Sequence, residues 1–140
     1  MTDILIQGIQ GRMGHVLCDL IAQRDDCRVV GGIDRTPVEG PVPVVTSFDQ
    51  LKVKADVLID FSSPEATRNA IAYCGTHALP CVICTTGLTE EDNAALKALS
   101  GQVAVFKSAN MSLGINLLAE LAQRAAKLLG LDYDIEIIEK

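Results

Sequence analysis

The sequence of 140 residues has no apolar run long enough to cross a membrane, since a spanning helix needs about 20 consecutive apolar residues. It also lacks a basic segment before its first apolar residues, so we expect no secretory signal and a cytoplasmic location. Basic residues are few, because 12 Lys and Arg face 18 Asp and Glu and give a net charge of −6. We therefore expect neither a membrane nor a nucleic acid as a partner.

The five cysteines lack the companions that a zinc site requires. Cys81 and Cys84 form a C-x-x-C motif, a spacing that also occurs in redox and zinc sites. No second Cys or His pair supplies the remaining zinc ligands. The segment 80–84 is typical of a short buried strand, in which side chains three residues apart point to opposite faces. We therefore expect buried free thiols and no metal site.

Apolar segments with strand character alternate with segments of helical spacing along the chain. Strands are predicted at 4–7, 28–33, 57–60, 81–84, 103–106 and 133–138, and helices at 11–23, 64–73, 90–99 and about 115–129. This alternation predicts an α/β fold of the Rossmann type, with a doubly wound, mainly parallel sheet that carries helices on both faces.

Local sequence signals mark how these helices begin and which side of them is apolar. In the first helix an apolar stripe runs through 13, 16, 17, 20 and 21. Ser62 and Glu65 have capping-box spacing before the second helix, and Thr89 precedes three acids at the start of the third. Asp60 and Glu65 resemble a catalytic acid pair, but the predicted cap gives Glu65 a structural role.

Three glycines separate the first predicted strand from the first helix. Gly8, Gly11 and Gly14 have the spacing G-x-x-G-x-x-G. Glycines at such a turn let the backbone approach a pyrophosphate, which the helix N-terminus then stabilises. Tight packing of a strand on a helix would select the same residues, so this loop alone is weak support for a ligand.

An acidic residue in the expected place strengthens the prediction that the glycine loop binds a dinucleotide. Asp34 stands at the end of the second predicted strand, twenty residues after Gly14, where a carboxylate accepts hydrogen bonds from the adenosine ribose. Arg35 follows it and suits a 2′-phosphate, so both NADH and NADPH are expected to bind. Arg12 either pairs with a phosphate or lies in water, and the sequence favours neither.

Polar segments also follow three later predicted strands, at 61–63, 84–87 and 108–111. The carboxyl ends of parallel strands meet at one edge of a sheet, where ligands collect. Hydroxyl and N–H groups there would suit a carboxamide and the carboxylates of a substrate.

Several of these motifs together resemble one enzyme family. The segments G-x-x-G-R-M-G, I-D-F-S-x-P, T-T-G-L and N-M-S-L-G-I-N, followed by D-I-E-I-I-E, are similar to 4-hydroxy-tetrahydrodipicolinate reductase, also called dihydrodipicolinate reductase. The resemblance implies reduction of a small cyclic dicarboxylate by NADH or NADPH in lysine biosynthesis. It places Phe61 near the nicotinamide, within a cofactor site made of Gly8, Ile9, Gln10, Gly11, Arg12, Met13, Asp34, Arg35, Phe61, Cys84, Thr85, Thr86, Ser108, Ala109, Asn110 and Met111.

The resemblance also implies what this chain does not carry. The family's proton donor and substrate cation, a His-His pair and a lysine, would follow the final Glu139-Lys140, so no catalytic residue is assigned here. Residues 1–130 are then the dinucleotide-binding domain, and 131–140 lead towards a substrate and oligomerisation domain. We expect a homotetramer for the full-length family, and little or no turnover by this chain alone.

The sequence leaves two other functions open. A non-enzymatic module that senses NAD(P) would share the first loop but would not need donors for a substrate carboxylate. Another two-domain dehydrogenase would share that loop and lack the later motifs. His15 and His77 have ordinary roles in a helix start and a helix end, and neither is a catalytic candidate.

Overall fold

The computed structural model describes residues 1–138. Their strands and helices are β1 (Thr2–Gln7), α1 (Arg12–Ala22), β2 (Cys27–Ile33), β3 (Val44–Val45), β4 (Val57–Asp60), α2 (Pro64–His77), β5 (Cys81–Ile83), α3 (Glu90–Leu99), β6 (Val105–Lys107) and α4 (Leu113–Leu129), with 3-10 turns at Phe48–Gln50 and Gly130–Asp132. The chain divides into two compact units, Met1–Ala109 and a second that begins at Asn110.

The first unit is built on one parallel sheet with the strand order β3-β2-β1-β4-β5-β6. This order confirms the predicted doubly wound α/β fold. Connections run outward in opposite directions from β1 and β4, so right-handed crossovers place their helices on opposite faces. The carboxyl ends of β1 and β4 therefore flank the crevice where ligands of such sheets bind.

Two apolar clusters cover the two faces of this sheet. One face packs against α2 and α3 through Ala70, Cys74, Leu96 and Leu99. The other packs against α1 through Ile21, with Leu17 partly buried beside it. Side chains alternate between the faces along β1, so Ile4 and Ile6 join the second cluster while Leu5 joins the first.

Most predicted elements are present, with strand bounds that differ by up to two residues. The short strand β3 was missed, because two residues among prolines give no recognisable period. The capping box of Ser62 and Glu65 is wrong. Ser63 is the N-cap and accepts from Ala66 N, because Pro64 occupies the first helical position.

The apolar stripe of α1 is buried only in part. Leu17 and Ile21 turn inward, whereas Met13, Val16 and Leu20 are exposed. Helical periodicity identifies the stripe correctly but does not say how much of it the sheet covers.

The second unit consists of α4 and the residues after it. Ser112 caps α4 by accepting from Ile115 N, and Gly130, with φ +71°, ends the helix. The apolar face of α4 is exposed, and so are residues 130–138. No helix in the described part of the chain combines the length and the apolarity that crossing a membrane requires.

The predicted strand at 133–138 is wrong, since these residues have no regular structure. A strand needs a neighbour for its N–H and C=O groups, and the described residues of this unit contain no other strand. The predicted segment 131–140 also includes Glu139 and Lys140, which lie outside the described residues.

An ion pair joins α2 to the start of α3. The Arg68 guanidinium Nε lies 2.7 Å from Asp92 Oδ1. Asp92 also completes a capping box with Thr89, in which each side chain accepts from the other residue's backbone N–H. The hydrogen bond from Arg68, together with the N–H of Thr89, lowers the pKa of Asp92 to about 2.

We expect Asp92→Asn to remove stability in a pH-dependent way. Folding lowers the pKa of Asp92 from its ordinary value of about 4, so the ionised carboxylate stabilises the fold fully above about pH 4. This contribution is lost as the pH falls through about 2. Urea unfolding of the wild type and of Asp92→Asn from pH 7 to pH 2 measures the difference in their free energies of unfolding, which should shrink at the acid end. The exposed neighbour Glu91→Gln is the control, and a difference that does not change with pH would contradict the assignment.

Candidate ligand-binding cleft

The turn between β1 and α1 depends on two glycines that lie against other backbone atoms. Gly8 has φ +78°, and a Cβ on it would come closer than 3.0 Å to the carbonyl of Phe61 in the loop after β4. A Cβ on Gly14 would come equally close to the carbonyl oxygens of Gly8 and Ile9. The turn can therefore be this tight only with glycine at both positions.

The N-terminus of α1 differs from those of the other described helices. Its N-cap is Gly11, no side chain accepts from its first N–H groups, and its first turn contains no acid. In contrast, Ser63, Thr89 and Ser112 each accept from an N–H of the helix that they cap. The first turn of α1 therefore presents N–H groups and a positive dipole end that suit an anion.

Asp34 lies directly beside this turn. Its Oδ2 accepts from Gln10 N at 2.8 Å, and its Oδ1 accepts from Arg35 N at 2.7 Å. The carboxylate is thus fixed at the carboxyl end of β2 and retains lone pairs for further donors. Arg35 is exposed and adds a positive charge next to it.

A cleft of about 1210 Å³ runs along these residues. It exceeds the range of about 300–1,000 Å³ usual for small-ligand pockets, as an extended ligand would require. The sequence-predicted residues that line it are Gly8, Gln10, Gly11, Asp34, Arg35 and Phe61. Its other lining residues are Gln7, Ile33, Thr36, residues 46–49, Ser62, Ser63 and, on α2, Ala66, Asn69, Ala72, Tyr73, Thr76 and His77.

One buried polar atom of the cleft has no partner. Gln7 is almost completely buried at the end of β1, and no atom of the described residues is hydrogen-bonded to its Oε1. A buried acceptor without a donor destabilises a fold by about 1–3 kcal/mol, so a ligand or an ordered water is expected to complete it. Together with the uncapped helix start and Asp34, this residue set fits a dinucleotide whose pyrophosphate binds at α1.

The remaining predicted residues of the first unit lie outside the cleft lining. The side chain of Ile9 packs in the apolar cluster on α1, so only its backbone is available to a ligand. Arg12, Met13 and Thr86 are exposed. Thr85 and Cys84 are buried after β5, and Ser108 and Ala109 follow β6. Two further predicted residues, Asn110 and Met111, are exposed at the start of the second unit.

Sequence reasoning missed one wall of the cleft. Phe48 stacks on Tyr73 with ring centroids 4.4 Å apart, and Tyr73 stacks on His77 at 4.0 Å. As expected from its place at a helix end, His77 contacts a late carbonyl, that of Tyr73, with Nδ1 at 3.0 Å. The spacing of Asn69, Tyr73 and His77, four residues apart each time, was the available signal, since such residues share one helix face.

All five cysteines are free thiols. Burial raises the pKa of Cys84 to about 11, and the nearby negative charge of Asp60 adds to the effect. A thiol with this pKa is almost fully protonated at neutral pH and is a poor nucleophile. Cys84 therefore has a packing role, as predicted for the C-x-x-C pair.

Comparison with known protein families gives a match to the family described as "Dihydrodipicolinate reductase, N-terminus", over residues 2–111. A 4-hydroxy-tetrahydrodipicolinate reductase of Caldanaerobacter subterraneus subsp. tengcongensis is 41% identical over 140 residues, which cover 100% of this chain and 55% of that protein. The protein of that name from Burkholderia lata is 38% identical over 149 residues, or 97% of this chain and 56% of the relative. The chain thus spans about half the length of the curated relatives it matches.

Solved structures show the same fold. A dipicolinate-bound dihydrodipicolinate reductase from Paenisporosarcina sp. TG-14 gives a TM-score of 0.78 at 23% identity, over 90% of this chain and 54% of the other. An aspartate dehydrogenase from Thermotoga maritima gives a TM-score of 0.62 at 19% identity, over 88% of this chain and 52% of the other. At these identities the likeness concerns the fold.

We expect Gly14→Ala to destabilise the first unit by about 1–3 kcal/mol, because the added methyl group meets backbone that cannot move aside. Gly75→Ala is the matched control. A Cβ at Gly75, inside α2, would meet only Leu99 Cδ1 at 3.5 Å, and alanine favours a helix over glycine by about 0.5–1 kcal/mol. Thermal unfolding should therefore move in opposite directions for the two variants. A neutral Gly14→Ala would contradict the close packing of the loop.

We also expect Cys84 to resist alkylation. A rise of its pKa from 9.0 to about 11 lowers the thiolate fraction at pH 7.5 about a hundredfold relative to the unfolded chain. Mass spectrometry after timed iodoacetamide treatment, without and with urea, measures the rate of Cys84 alkylation in the folded and in the unfolded protein. Equal rates in the folded and unfolded protein would show that the thiol is neither buried nor protonated as described.

Proposed function

Because this chain belongs to the dihydrodipicolinate reductase family, we propose that it binds NADH or NADPH in the cleft beside the glycine turn. One observation carries the proposal. An uncapped helix start follows a turn that only glycines permit, and the carboxylate of Asp34, directly after the next strand, lies with Oδ2 2.8 Å from Gln10 N of that same turn. Phosphate and ribose require these two groups side by side.

The proposed position of the pyrophosphate is the first turn of α1. Gly11 has no side chain to block the approach, and the N–H groups of Arg12 and Met13 face outward from the helix start. Arg12 is exposed close by and would add a positive charge. Hydrogen bonds from N–H groups to a charged phosphate are stronger than neutral ones, so this contact would supply much of the affinity.

Asp34 is the proposed partner of the adenosine ribose. Each of its oxygens already accepts one backbone N–H, and a carboxylate oxygen can accept a second donor such as a ribose hydroxyl. The same negative charge opposes a 2′-phosphate, whereas Arg35 attracts one. Opposed charges on neighbouring residues support binding of both cofactors.

The nicotinamide is proposed to lie near Phe61, on the side of the cleft that Ser62 and Ser63 line. When bound there, the nicotinamide would supply the hydride. The loops that hold Cys84, Thr85 and Thr86 and the residues 108–111 remain proposed cofactor contacts by family resemblance. The role of this chain's own residues is to bind and orient the dinucleotide.

The substrate proposed for the whole protein is 4-hydroxy-tetrahydrodipicolinate, the dicarboxylate for which the relatives are named. We assign proton donation and substrate binding to the half of the relatives that this chain does not span, together with the assembly into a homotetramer. The chain alone is then expected to bind cofactor and to turn over little substrate. The two relatives described above are named as reductases, so they give no support to a role as a non-enzymatic sensor.

Titration with NADH and NADPH, followed by calorimetry, tests this proposal. We expect both to bind the wild-type chain, and Asp34→Asn to lower the ratio of the NADPH to the NADH dissociation constant about tenfold, or about 1.4 kcal/mol. The cause is that the variant loses an acceptor for the ribose hydroxyl and the charge that repels a 2′-phosphate.

Asp25→Asn is the matched control for this titration, because it removes an exposed acid outside the cleft. Its ratio of dissociation constants should equal that of the wild type. A wild-type chain that binds neither dinucleotide would refute the function, and an unchanged ratio in Asp34→Asn would refute the role of Asp34.

A further inference from the structure

The most deeply buried acid in the described residues is Asp60, whose exposure is 0% at the carboxyl end of β4. It lies between Gln7 of β1 and Ile83 of β5 in the register of the sheet, on the face that α2 covers. An ionised carboxylate in such a place costs several kcal/mol unless it is paired or hydrogen-bonded. None of the ion pairs among residues 1–138 includes Asp60.

Hydrogen-bond donors from three separate segments surround this carboxylate. Oδ1 accepts from the Ser62 hydroxyl at 2.5 Å and from Ser62 N at 3.1 Å, both in the loop after β4. Oδ2 accepts from the Thr67 hydroxyl of α2 at 2.5 Å and from the Thr85 hydroxyl, after β5, at 3.0 Å. The N-terminal end of α2 lies four residues along the chain and favours the negative charge.

The same residues also connect the loop after β4 directly to the loop after β5. Thr85 Oγ1 accepts from Ser62 N at 3.1 Å while its own proton goes to Asp60. The backbone carbonyl of Asp60 accepts from Cys84 N at 2.9 Å. The loop after β4 and the loop after β5 are therefore fixed to one another by a single residue, through its carboxylate and its carbonyl.

These are the loops of the proposed nicotinamide end, whereas the proposed adenosine end lies at Asp34. Phe61 follows Asp60 directly and lines the cleft, and its carbonyl is the group packed against Gly8. A shift of the loop after β4 would therefore move the ring of Phe61, whereas the glycine turn keeps its own hydrogen bonds, from Gly8 N to Ile33 O at 2.9 Å and from Gly11 N to Gly8 O at 3.0 Å.

We propose that Asp60 is a positioning residue, whose buried carboxylate holds the loops after β4 and β5 in the geometry that receives the nicotinamide half of the cofactor. Apolar side chains would fill the same space at lower cost, but only an acceptor with two oxygens can orient three hydroxyl groups at once. The inference rests on the proposed function, because it presumes that a dinucleotide binds in this cleft.

Paired titrations with NADH and ADP-ribose test this proposal, since ADP-ribose shares every contact at the pyrophosphate and adenosine but has no nicotinamide. In Asp60→Asn the amide nitrogen meets hydroxyl groups that donated to the carboxylate, so the loops should reorganise. We expect NADH affinity to fall about tenfold or more, ADP-ribose affinity to stay within about twofold, and the fluorescence enhancement of the bound nicotinamide to be lost. Equal loss of both ligands, or no loss of either, would overturn the proposal.

A pair of variants at Thr67, which is buried in α2 and does not line the cleft, covers the case in which Asp60→Asn fails to fold. Thr67→Val removes the hydroxyl that donates to Asp60 Oδ2 and should reproduce the selective loss of NADH. Thr67→Ser keeps the hydroxyl and should restore wild-type affinity. If Thr67→Val and Thr67→Ser bind NADH equally well, the proposal is wrong. A wild-type chain that binds neither NADH nor ADP-ribose would instead refute the proposed function itself.

Discussion

Backbone packed against backbone at the switch point of the sheet is the constraint on which the cleft depends. The turn after β1 and the loop after β4 leave the sheet side by side, and the carbonyl of Phe61 lies where a Cβ of Gly8 would be. Gly14 brings the start of α1 equally close to that turn. Gly11, the uncapped start of α1, therefore lines the cleft, and the position of Asp34 follows from the register of β2 beside β1.

A second constraint is the hydrogen bonding around Asp60. Parallel strands end at one edge of the sheet, but the loops that leave them have no ladder to fix their directions. Here hydroxyl groups of Ser62, Thr67 and Thr85 converge on one carboxylate and fix those directions instead. The glycine turn and the loop after β4 thus line the cleft side by side, and the buried acid fixes the second of them.

Much of this arrangement could be predicted from the sequence, because it depends on local patterns. Strand and helix periods give the fold, and Gly8, Gly14 and Asp34 have spacings that only a few structures require. Features that depend on distant residues were not predictable in this way. The stack of Phe48 on Tyr73 joins residues 25 positions apart, and the donors of Asp60 come from three segments.

The errors have the same cause. Residues 133–138 alternate like a strand, yet the described residues offer them no neighbouring strand. Ser62 has the spacing of a cap, but Pro64 moves the cap to Ser63 and Ser62 binds Asp60. In both cases the local pattern is real, but the structure depends on whether the folded chain supplies the partner that the pattern requires.

The most direct test of the central claim is a map of backbone amide chemical shifts as NADH is added to the isotopically labelled chain. Binding at the glycine turn predicts large changes at Gln10 to Gly14 and at Arg35, whose N–H groups surround the proposed phosphate and Asp34. The amides of α3, which does not line the cleft, should stay unchanged. Saturable shifts that spare the glycine turn, or the absence of any shift, would contradict the account.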